Sequence, residues 1–251
     1  MNIQNDAIIF CVFNDGMYEL AKNHLTSLKN QNIQNYIAYT TGKKSFESLK
    51  EEGFNVTFLD NKAIDHEELP WCKKSFLDLA ELRFIIALEL LKNHMYVWYL
   101  DIDTVIMKNL NQLLAPPPNI DIIFQDDVNM LCTGCILFIQ SDATKQLLNI
   151  MNQNYNKENN KNINDQTLIN KIIQSIPIKV GIFPRQIAPN GLLYFDEEFI
   201  GKQNEFLEEE KKKFLLKNPI QPEHIYLIHA NYMTGSEKKI KALKKKNLWF
   251  I

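Results

Sequence analysis

Two carboxylates stand one residue apart at the end of an apolar run. The run is Tyr96 to Leu100, and Asp101 and Asp103 follow it directly. Apolar, β-branched and aromatic residues in such a run are typical of an interior strand that is covered on both faces. Because unpaired buried carboxylates are costly, we predict that the two acids lie at the exposed end of the strand or share a cation. Hard oxygen ligands without a dense Cys/His cluster favour Mn²⁺ or Mg²⁺. The simpler alternative is that the acids only cap a turn, since D-x-D is a short and common pattern.

The segment before these acids alternates short apolar runs with stretches of helical periodicity. The runs cover residues 7–13, 33–40 and 55–59. Three such βα units favour a parallel, doubly wound sheet with right-handed crossovers. Sheets of this kind bind ligands at the carboxyl ends of their strands, which is where the two acids stand. Neither G-x-G-x-x-G nor G-x-x-x-x-G-K-[ST] occurs, which counts against dinucleotide-binding and P-loop proteins.

The rest of the chain predicts further strands and helices. The predicted strands after Leu100 are Ile120–Phe124, Leu131–Ile139, Ile178–Phe183 and Ile225–Ile228. The predicted helices are Ser75–His94, Lys108–Leu114, Asp142–Tyr155, Asp165–Ile173 and Glu205–Leu216. The triple proline Pro116–Pro118 and the polar residues 152–164 are predicted as loops.

Several further side chains could serve either chemistry or structure. Arg83 interrupts the apolar face of its helix, so it is either a snorkelling or ion-paired cation or a group that reaches an anionic ligand. Asp165 and Gln166 open a helix and could cap it or bind a ligand. His229 directly follows the last predicted strand; a lone histidine is more often structural, but this position also suits a metal ligand.

Two other stretches leave a choice open. Residues 238–246 hold six lysines, which either form a solvated helix face or approach a phosphate group. Cys132 and Cys135 form a C-x-x-C without the second pair that zinc needs, so they are predicted as core cysteines. Gly134 between them, inside a predicted strand, indicates close approach of backbone or ligand.

Composition limits the class of protein. Hydrophobic residues make up 45% of the 251 residues and charged residues 23%, which is typical of a globular protein that buries a sizeable core. The net charge of −2 gives no nucleic-acid footprint, so no nucleic-acid partner is expected. No secretory signal or transmembrane segment is found, and only four cysteines occur. We therefore expect a cytoplasmic protein with reduced thiols.

In their order along the chain, these residues resemble the motif set of the GT-A fold glycosyltransferases. The similarity is greatest to the retaining nucleotide-diphospho-sugar transferases, in the glycogenin, galactosyltransferase-like and plant xylosyltransferase-like groups. The residues that carry it are Arg83, Tyr99–Val105, Gly134, Asp165, Gln166, Asn170, His229, Lys238 and Lys239. The usual H-x-x-G-x-x-K-P-W ending is replaced here by His229-Ala-Asn-Tyr232, which leaves the roles of the two lysines open.

The resemblance implies one α/β GT-A-type domain over residues 1–251. It would have a Rossmann-like, mostly parallel central sheet flanked by helices. The nucleotide-binding part would cover about residues 1–110, and a smaller C-terminal acceptor-side part about residues 111–251. The activity implied is metal-dependent transfer of a sugar from a nucleotide-diphosphate sugar, with UDP-sugar the expected donor, to an acceptor hydroxyl with retention. The acceptor could be a glycan, a protein or a lipid.

The resemblance also implies a role for each site residue. The implied ligands of Mn²⁺ or Mg²⁺ are Asp101, Asp103 and His229. The implied catalytic residues near the sugar and acceptor are Arg83, Asp165 and Gln166. The implied donor-binding residues are Phe13, Asn14, Thr40, Asp60, Arg83, Asp101 and Lys238, of which the first four stand at strand ends where base and ribose could bind.

Two rival functions fit parts of the same pattern. Asp101-Ile-Asp103-Thr104 also matches the strand of a HAD-type phosphatase, in which Asp101 would be the nucleophile and Asp103 the acid/base. That motif normally opens its domain, whereas three βα units precede it here. The other rival is a catalytically inactive sugar-binding module on the same fold.

Overall fold

Nine strands form two sheets in the computed structural model, which describes residues 6–60, 74–114, 119–155 and 163–251. The strands are β1 (Ala7–Phe13), β2 (Tyr36–Thr40), β3 (Val56–Phe58), β4 (Tyr96–Leu100), β5 (Thr104–Ile106), β6 (Ile122–Asp126), β7 (Leu131–Ile139), β8 (Val180–Phe183) and β9 (Leu227–His229). The predicted loop Pro116–Pro118 and most of the predicted loop at 152–164 lie outside the described residues.

Most of the longer helices lie where helical periodicity predicts them. They are α1 (Tyr18–Asn30), α2 (Lys43–Glu51), α3 (Lys74–Leu90), α4 (Asp142–Tyr155), α5 (Asp165–Ile173), α6 (Gly191–Tyr194), α7 (Glu197–Ile200), α8 (Glu205–Lys217) and α9 (Ser236–Lys245). The predicted helix Lys108–Leu114 is only a 3₁₀ turn over Leu110–Leu113, in which the Asn109 side chain accepts a hydrogen bond from the Asn111 amide. No helix within the described ranges is long and apolar enough to span a bilayer.

The seven-stranded sheet has the order β3-β2-β1-β4-β7-β6-β8. Strands β1, β2, β3 and β4 pair in parallel, as do β6 and β8, whereas β7 runs antiparallel to both β4 and β6. The predicted mostly parallel α/β sheet is therefore confirmed. Helices α3, α4 and α5 cover one face, and α1, α2 and α9 contribute to the core on the other.

The second sheet explains how distant residues meet. Strands β5 and β9 form an antiparallel ribbon in which Thr104 pairs with His229. Since Thr104 directly follows the D-x-D segment, the ribbon brings the last strand of the chain beside the end of β4. The antiparallel direction of β7 places its first residues, Leu131 to Thr133, at the same edge of the sheet.

Candidate active site

Asp101 and Asp103 lie in a tight turn between β4 and β5. The Thr104 amide and hydroxyl both donate to the Asp101 carbonyl oxygen, at 3.0 and 2.7 Å, and the Asp101 amide donates to the Gly134 carbonyl at 2.7 Å. His24 of α1 donates from Nδ1 to the Thr104 carbonyl at 3.0 Å. The turn is thus closed by main chain, Thr104 and His24, and the two carboxylates are available for other partners.

The two carboxylates and His229 form a compact group of three ligands. His229 Nε2 lies 3.2 Å from Asp103 Oδ1 and 3.8 Å from Asp101 Oδ2. One ligand atom from each residue lies within 4.8 Å of the others. Two carboxylate oxygens and one imidazole nitrogen suit Mn²⁺ or Mg²⁺, and two acids this close need positive charge between them. The residues therefore fit the predicted divalent cation.

Gly134 lets this group assemble. A Cβ atom at residue 134 would lie 2.3 Å from His229 Cε1 and 2.4 Å from Asp101 Oδ2, which is too close for any side chain. The sequence predicts a close approach of backbone or ligand at Gly134, and the structure shows a close approach of side chains instead. It involves the side chains of two candidate metal ligands.

Cations surround the buried acid of this group. Lys239 Nζ lies 2.7 Å from Asp103 Oδ2. Burial by itself would raise the pKa of Asp103, but Lys239 and His229 hold that pKa below its ordinary value. Burial lowers the pKa of His229, and the Asp103 carboxylate more than reverses this, so the pKa is raised. Asp103 is therefore an anion at neutral pH.

Arg83 links the first acid to the start of α5. Its buried guanidinium lies with Nη1 3.2 Å from Asp165 Oδ2 and 3.7 Å from Asp101 Oδ1. Nη1 also donates to the Thr133 carbonyl at 3.0 Å, and Cζ stacks 4.6 Å from the centre of the Tyr99 ring. Tyr99 in turn donates from its hydroxyl to Asp101 Oδ1 at 2.5 Å. Arg83 thus reaches the site instead of snorkelling to solvent.

Asn164, not Asp165, caps α5. Asn164 Oδ1 accepts a hydrogen bond from the Thr167 amide at 2.7 Å. The capping interpretation of the Asp165–Gln166 pair is therefore wrong, because the preceding residue takes that role. Asp165 is free to pair with Arg83, and Gln166 donates from Nε2 to Asp127 Oδ2 at 2.9 Å.

A second cluster centres on Asp127, which is not among the predicted site residues. Asn231 Nδ2 donates to Asp127 Oδ1 at 3.1 Å, and Tyr232 donates from its hydroxyl to the Asp127 carbonyl at 3.3 Å. Asn231 is itself fixed by the Gly191 amide, which donates to its Oδ1 at 2.6 Å. Asp127 follows a predicted strand as Asp101 does, so the same strand-end argument could have found it.

One cavity of about 870 Å³ is lined by both clusters. Of the predicted site residues, those that line it are Arg83, Asp101, Asp103, Asp165, Gln166 and His229. Phe13, Asn14 and Thr40 are buried at the carboxyl ends of β1 and β2, and exposed Asp60 follows β3. None of these four is among the described lining residues, although Val12 of β1 is.

The basic tail contributes one of the two lysines whose roles the sequence leaves open. Lys239, which pairs with Asp103, lines the cavity, and its neighbour Lys238 does not appear among the described lining residues. In the helix α9 these two lysines point about 100° apart, so only one can face the acids. The C-x-x-C cysteines are buried, as predicted, and Cys132 lies with Sγ 3.7 Å from His229 Nδ1.

Comparison with known proteins places this geometry in context. A relative in Arabidopsis thaliana, "UDP-D-xylose:L-fucose alpha-1,3-D-xylosyltransferase 3", is 24% identical over 212 residues, covering 81% of this chain and 45% of its own length. The chain thus spans less than half the length of this curated relative.

Two solved structures share the fold at low sequence identity. The galactosyltransferase LgtC, solved with donor and acceptor sugar analogues, superposes with a TM-score of 0.56 at 12% identity, over 95% of each chain. The glycosyltransferase GlyE of Streptococcus pneumoniae gives a TM-score of 0.57 at 10% identity, over 97% of this chain and 65% of its own. The predicted GT-A-type fold is confirmed.

The decisive comparison is with a family. The pattern described as nucleotide-diphospho-sugar transferase matches residues 31–243, which is most of the chain. That span includes the D-x-D turn, the start of α5 and His229. The predicted resemblance is confirmed: the chain belongs to the nucleotide-diphospho-sugar transferase family.

Proposed function

We propose that this protein transfers a sugar from a UDP-sugar to an acceptor hydroxyl, with retention and with the help of Mn²⁺ or Mg²⁺. The observation that carries the proposal is the group formed by Asp101, Asp103 and His229 inside a cavity of about 870 Å³. A cavity of this size is in the range of small-molecule sites and is large enough for a nucleotide sugar. Family membership supports the nucleotide-sugar donor.

The charges at the site suit departure of a diphosphate. As the bond between the anomeric carbon and the phosphate oxygen breaks, negative charge develops on the leaving group. A divalent cation held by the three ligands would stabilise that charge as a Lewis acid. Lys239 Nζ, 2.7 Å from Asp103, would add a second positive charge on the same side. No protein nucleophile is required for this step.

Residues on the other side of the D-x-D turn would hold the sugar. Arg83 fixes Asp165 and Asp101 relative to each other, so their oxygens are oriented before a ligand arrives. Gln166 lies between this group and Asp127, where a sugar and an acceptor hydroxyl would meet. We infer that the leaving phosphate takes the proton of the acceptor hydroxyl. Several expectations stay predictions. They are the base and ribose contacts by Phe13, Asn14, Thr40 and Asp60 and the diphosphate contact by Lys238. The division of the domain near residue 110 and the cytoplasmic location also stay predictions.

The proposal is tested with a panel of nucleotide sugars. Thermal unfolding would be recorded with UDP- and GDP-sugars, with Mn²⁺ and with a chelator. We expect stabilisation by a UDP-sugar that requires the metal, since a ligand that binds only the folded state raises its stability. NMR would show the anomeric configuration of the product. An α-anomeric product from an α-linked UDP-sugar would establish retention. Equal stabilisation by the UDP-sugar with and without metal would contradict the metal dependence.

The two rival functions predict different results. A HAD-type phosphatase would form an aspartyl phosphate on Asp101, whereas the family match supports a sugar transferase. An inactive sugar-binding module would bind the donor without turnover of any acceptor. Mass spectrometry of the protein after incubation with phosphate esters, and calorimetry with the donor, separate these cases.

A further inference from the structure

Gln125 lies directly behind His229, on the side away from the two acids. It is fully buried in β6, and its Oε1 is 2.8 Å from His229 Nδ1. The register of β6 against β7 shifts between Phe124 and Gln125. Such an irregularity turns a side chain away from its regular direction, and it occurs often beside active sites. Here the shift brings a buried amide to the back of the histidine ring.

The orientation of the Gln125 amide is fixed by its other contacts. Its Nε2 donates to the main-chain carbonyls of Ala188 and Pro189, at 3.0 and 3.3 Å. A carbonyl oxygen can only accept a hydrogen bond, so the NH₂ group must face these two carbonyls. The amide oxygen must then face His229 Nδ1, and that nitrogen must carry a proton.

We propose that Gln125 is a positioning residue that keeps a proton on Nδ1 of His229, so that Nε2 is the nitrogen that gives up its proton to bind a cation beside Asp101 and Asp103. This inference rests on the proposed metal-dependent function, and it names the group that prepares the imidazole for a cation. A histidine that binds a metal commonly donates its other N–H to an oxygen acceptor, which fixes both the tautomer and the ring direction.

Cys132 is the competing partner of the same nitrogen. Its Sγ lies 3.7 Å from His229 Nδ1, and a thiol can donate to an unprotonated ring nitrogen. Without the Gln125 oxygen, Nδ1 could accept from Cys132 and the proton would move to Nε2. Nε2 would then present a proton to the cation site instead of a lone pair. Gln125 therefore decides between two tautomers, only one of which can bind a metal at Nε2.

The first test reads the tautomer directly. The full chain would be labelled with ¹⁵N in its histidine rings and examined without metal by long-range ¹H–¹⁵N correlation, at a pH where the ring of His229 carries one proton. The signals are assigned by their loss in His229→Gln. We expect the proton on Nδ1 in the wild-type protein and a shift toward Nε2 in Gln125→Met. A wild-type ring protonated on Nε2 would overturn the proposal.

The second test measures the affinity for Mn²⁺ alone, by electron paramagnetic resonance of the free ion. Gln125→Met keeps the side-chain length and removes the acceptor, and we expect roughly 10- to 100-fold weaker binding. The matched control is Gln140→Met, because Gln140 also donates its amide to a main-chain carbonyl, that of Leu91 at 2.7 Å. That variant should bind Mn²⁺ as the wild type does. Equal affinities in the two variants would overturn the proposal.

Two further readouts keep the result unambiguous. Thermal unfolding of both variants without metal shows how much of any loss comes from general destabilisation. If Gln125→Met does not fold, the tautomer of the wild-type ring still decides. If the wild-type protein binds no Mn²⁺, the metal dependence of the proposed function fails. The role of Gln125 is rejected by a different result, a proton on Nε2 of His229 and none on Nδ1.

Discussion

Asp103 and Asp127 line the same cavity, yet they are held by different kinds of partner. Asp103 contacts the ammonium of Lys239 at 2.7 Å and the imidazole of His229 at 3.2 Å. Asp127 receives hydrogen bonds from two neutral amides, Gln166 at 2.9 Å and Asn231 at 3.1 Å. We call the first group the charged cluster and the second the amide cluster.

The difference indicates a division of labour. A carboxylate among cations can exchange one cation for another, so the charged cluster suits a metal ion and a diphosphate. Neutral amides leave the negative charge of Asp127 uncompensated and fix its direction, which suits hydrogen bonds from hydroxyl groups. The two aspartates are therefore suited to different ligands, although they line the same cavity.

The largest expected effect comes from removing the charge of Asp103, the acid of the charged cluster. Asp103→Asn should weaken Mn²⁺ binding by at least about 100-fold and abolish metal-dependent donor hydrolysis. This loss is larger than that expected for a residue such as Gln125, which contacts a metal ligand but not the metal. Asp127→Asn, the matched variant in the amide cluster, should leave the affinity for Mn²⁺ unchanged. The measurement is a Mn²⁺ titration of both variants. Similar losses in the two would remove the distinction between the clusters.

A methyl group at Gly134 should force the charged cluster apart. The new Cβ would lie 2.3 Å from His229 Cε1, so we expect Gly134→Ala to cost about 1–3 kcal/mol of unfolding free energy and to weaken Mn²⁺ binding about 10-fold. The control is Gly181→Ala on β8, where the nearest atom, Ile123 Cγ1, is 3.2 Å away. Denaturant unfolding and Mn²⁺ titration test this. A fully stable Gly134→Ala variant with normal affinity would contradict the close packing.

Loss of an amide from the amide cluster should lower stability without weakening Mn²⁺ binding. Asn231→Ala leaves the Gly191 amide without the acceptor that it has at 2.6 Å and removes one donor to Asp127. We expect a loss of about 1–2 kcal/mol in unfolding free energy, because a buried donor loses its partner. The affinity for Mn²⁺ should not change. A weaker affinity in this variant would show that the clusters are coupled.

A pH dependence is also expected in the turn that carries the acids. Burial lowers the pKa of His24 from 6.5 to about 4, so its ring is neutral in the folded protein. As the pH falls, His24 takes up a proton in the unfolded chain before it does so in the folded protein. The contribution of neutral His24 to the unfolding free energy is therefore complete above pH 6.5 and is lost between pH 6.5 and about 4. The loss is at most about 1.4 kcal/mol per pH unit.

Comparison with His24→Gln isolates this contribution. Unfolding free energies of the two proteins would be measured across this pH range in the presence of a chelator. The advantage of the wild-type protein at neutral pH should shrink as the solution becomes more acidic. His229, whose pKa is raised, contributes in the opposite direction and is common to both proteins. A difference that stays constant with pH would show that His24 does not titrate as described.

The strands and helices that flank the site were predictable because their periodicity is local. Strands Ala7–Phe13 and Leu131–Ile139 have the predicted bounds, and the acids Asp101 and Asp103 follow β4 as expected. Lys108–Leu114 was the least accurate prediction, since so few residues can form a single 3₁₀ turn as readily as a helix.

The sequence by itself determined the parallel opening half, the acids after β4 and, through the order of motifs, the family. Only the tertiary structure decided which side chains meet. The β5–β9 ribbon selects His229, the helical rotation of α9 selects Lys239 over Lys238, and the β6 irregularity brings in Gln125. The physical reason is that periodicity reports burial along one element, whereas contacts between elements depend on register and strand direction, which no local pattern records.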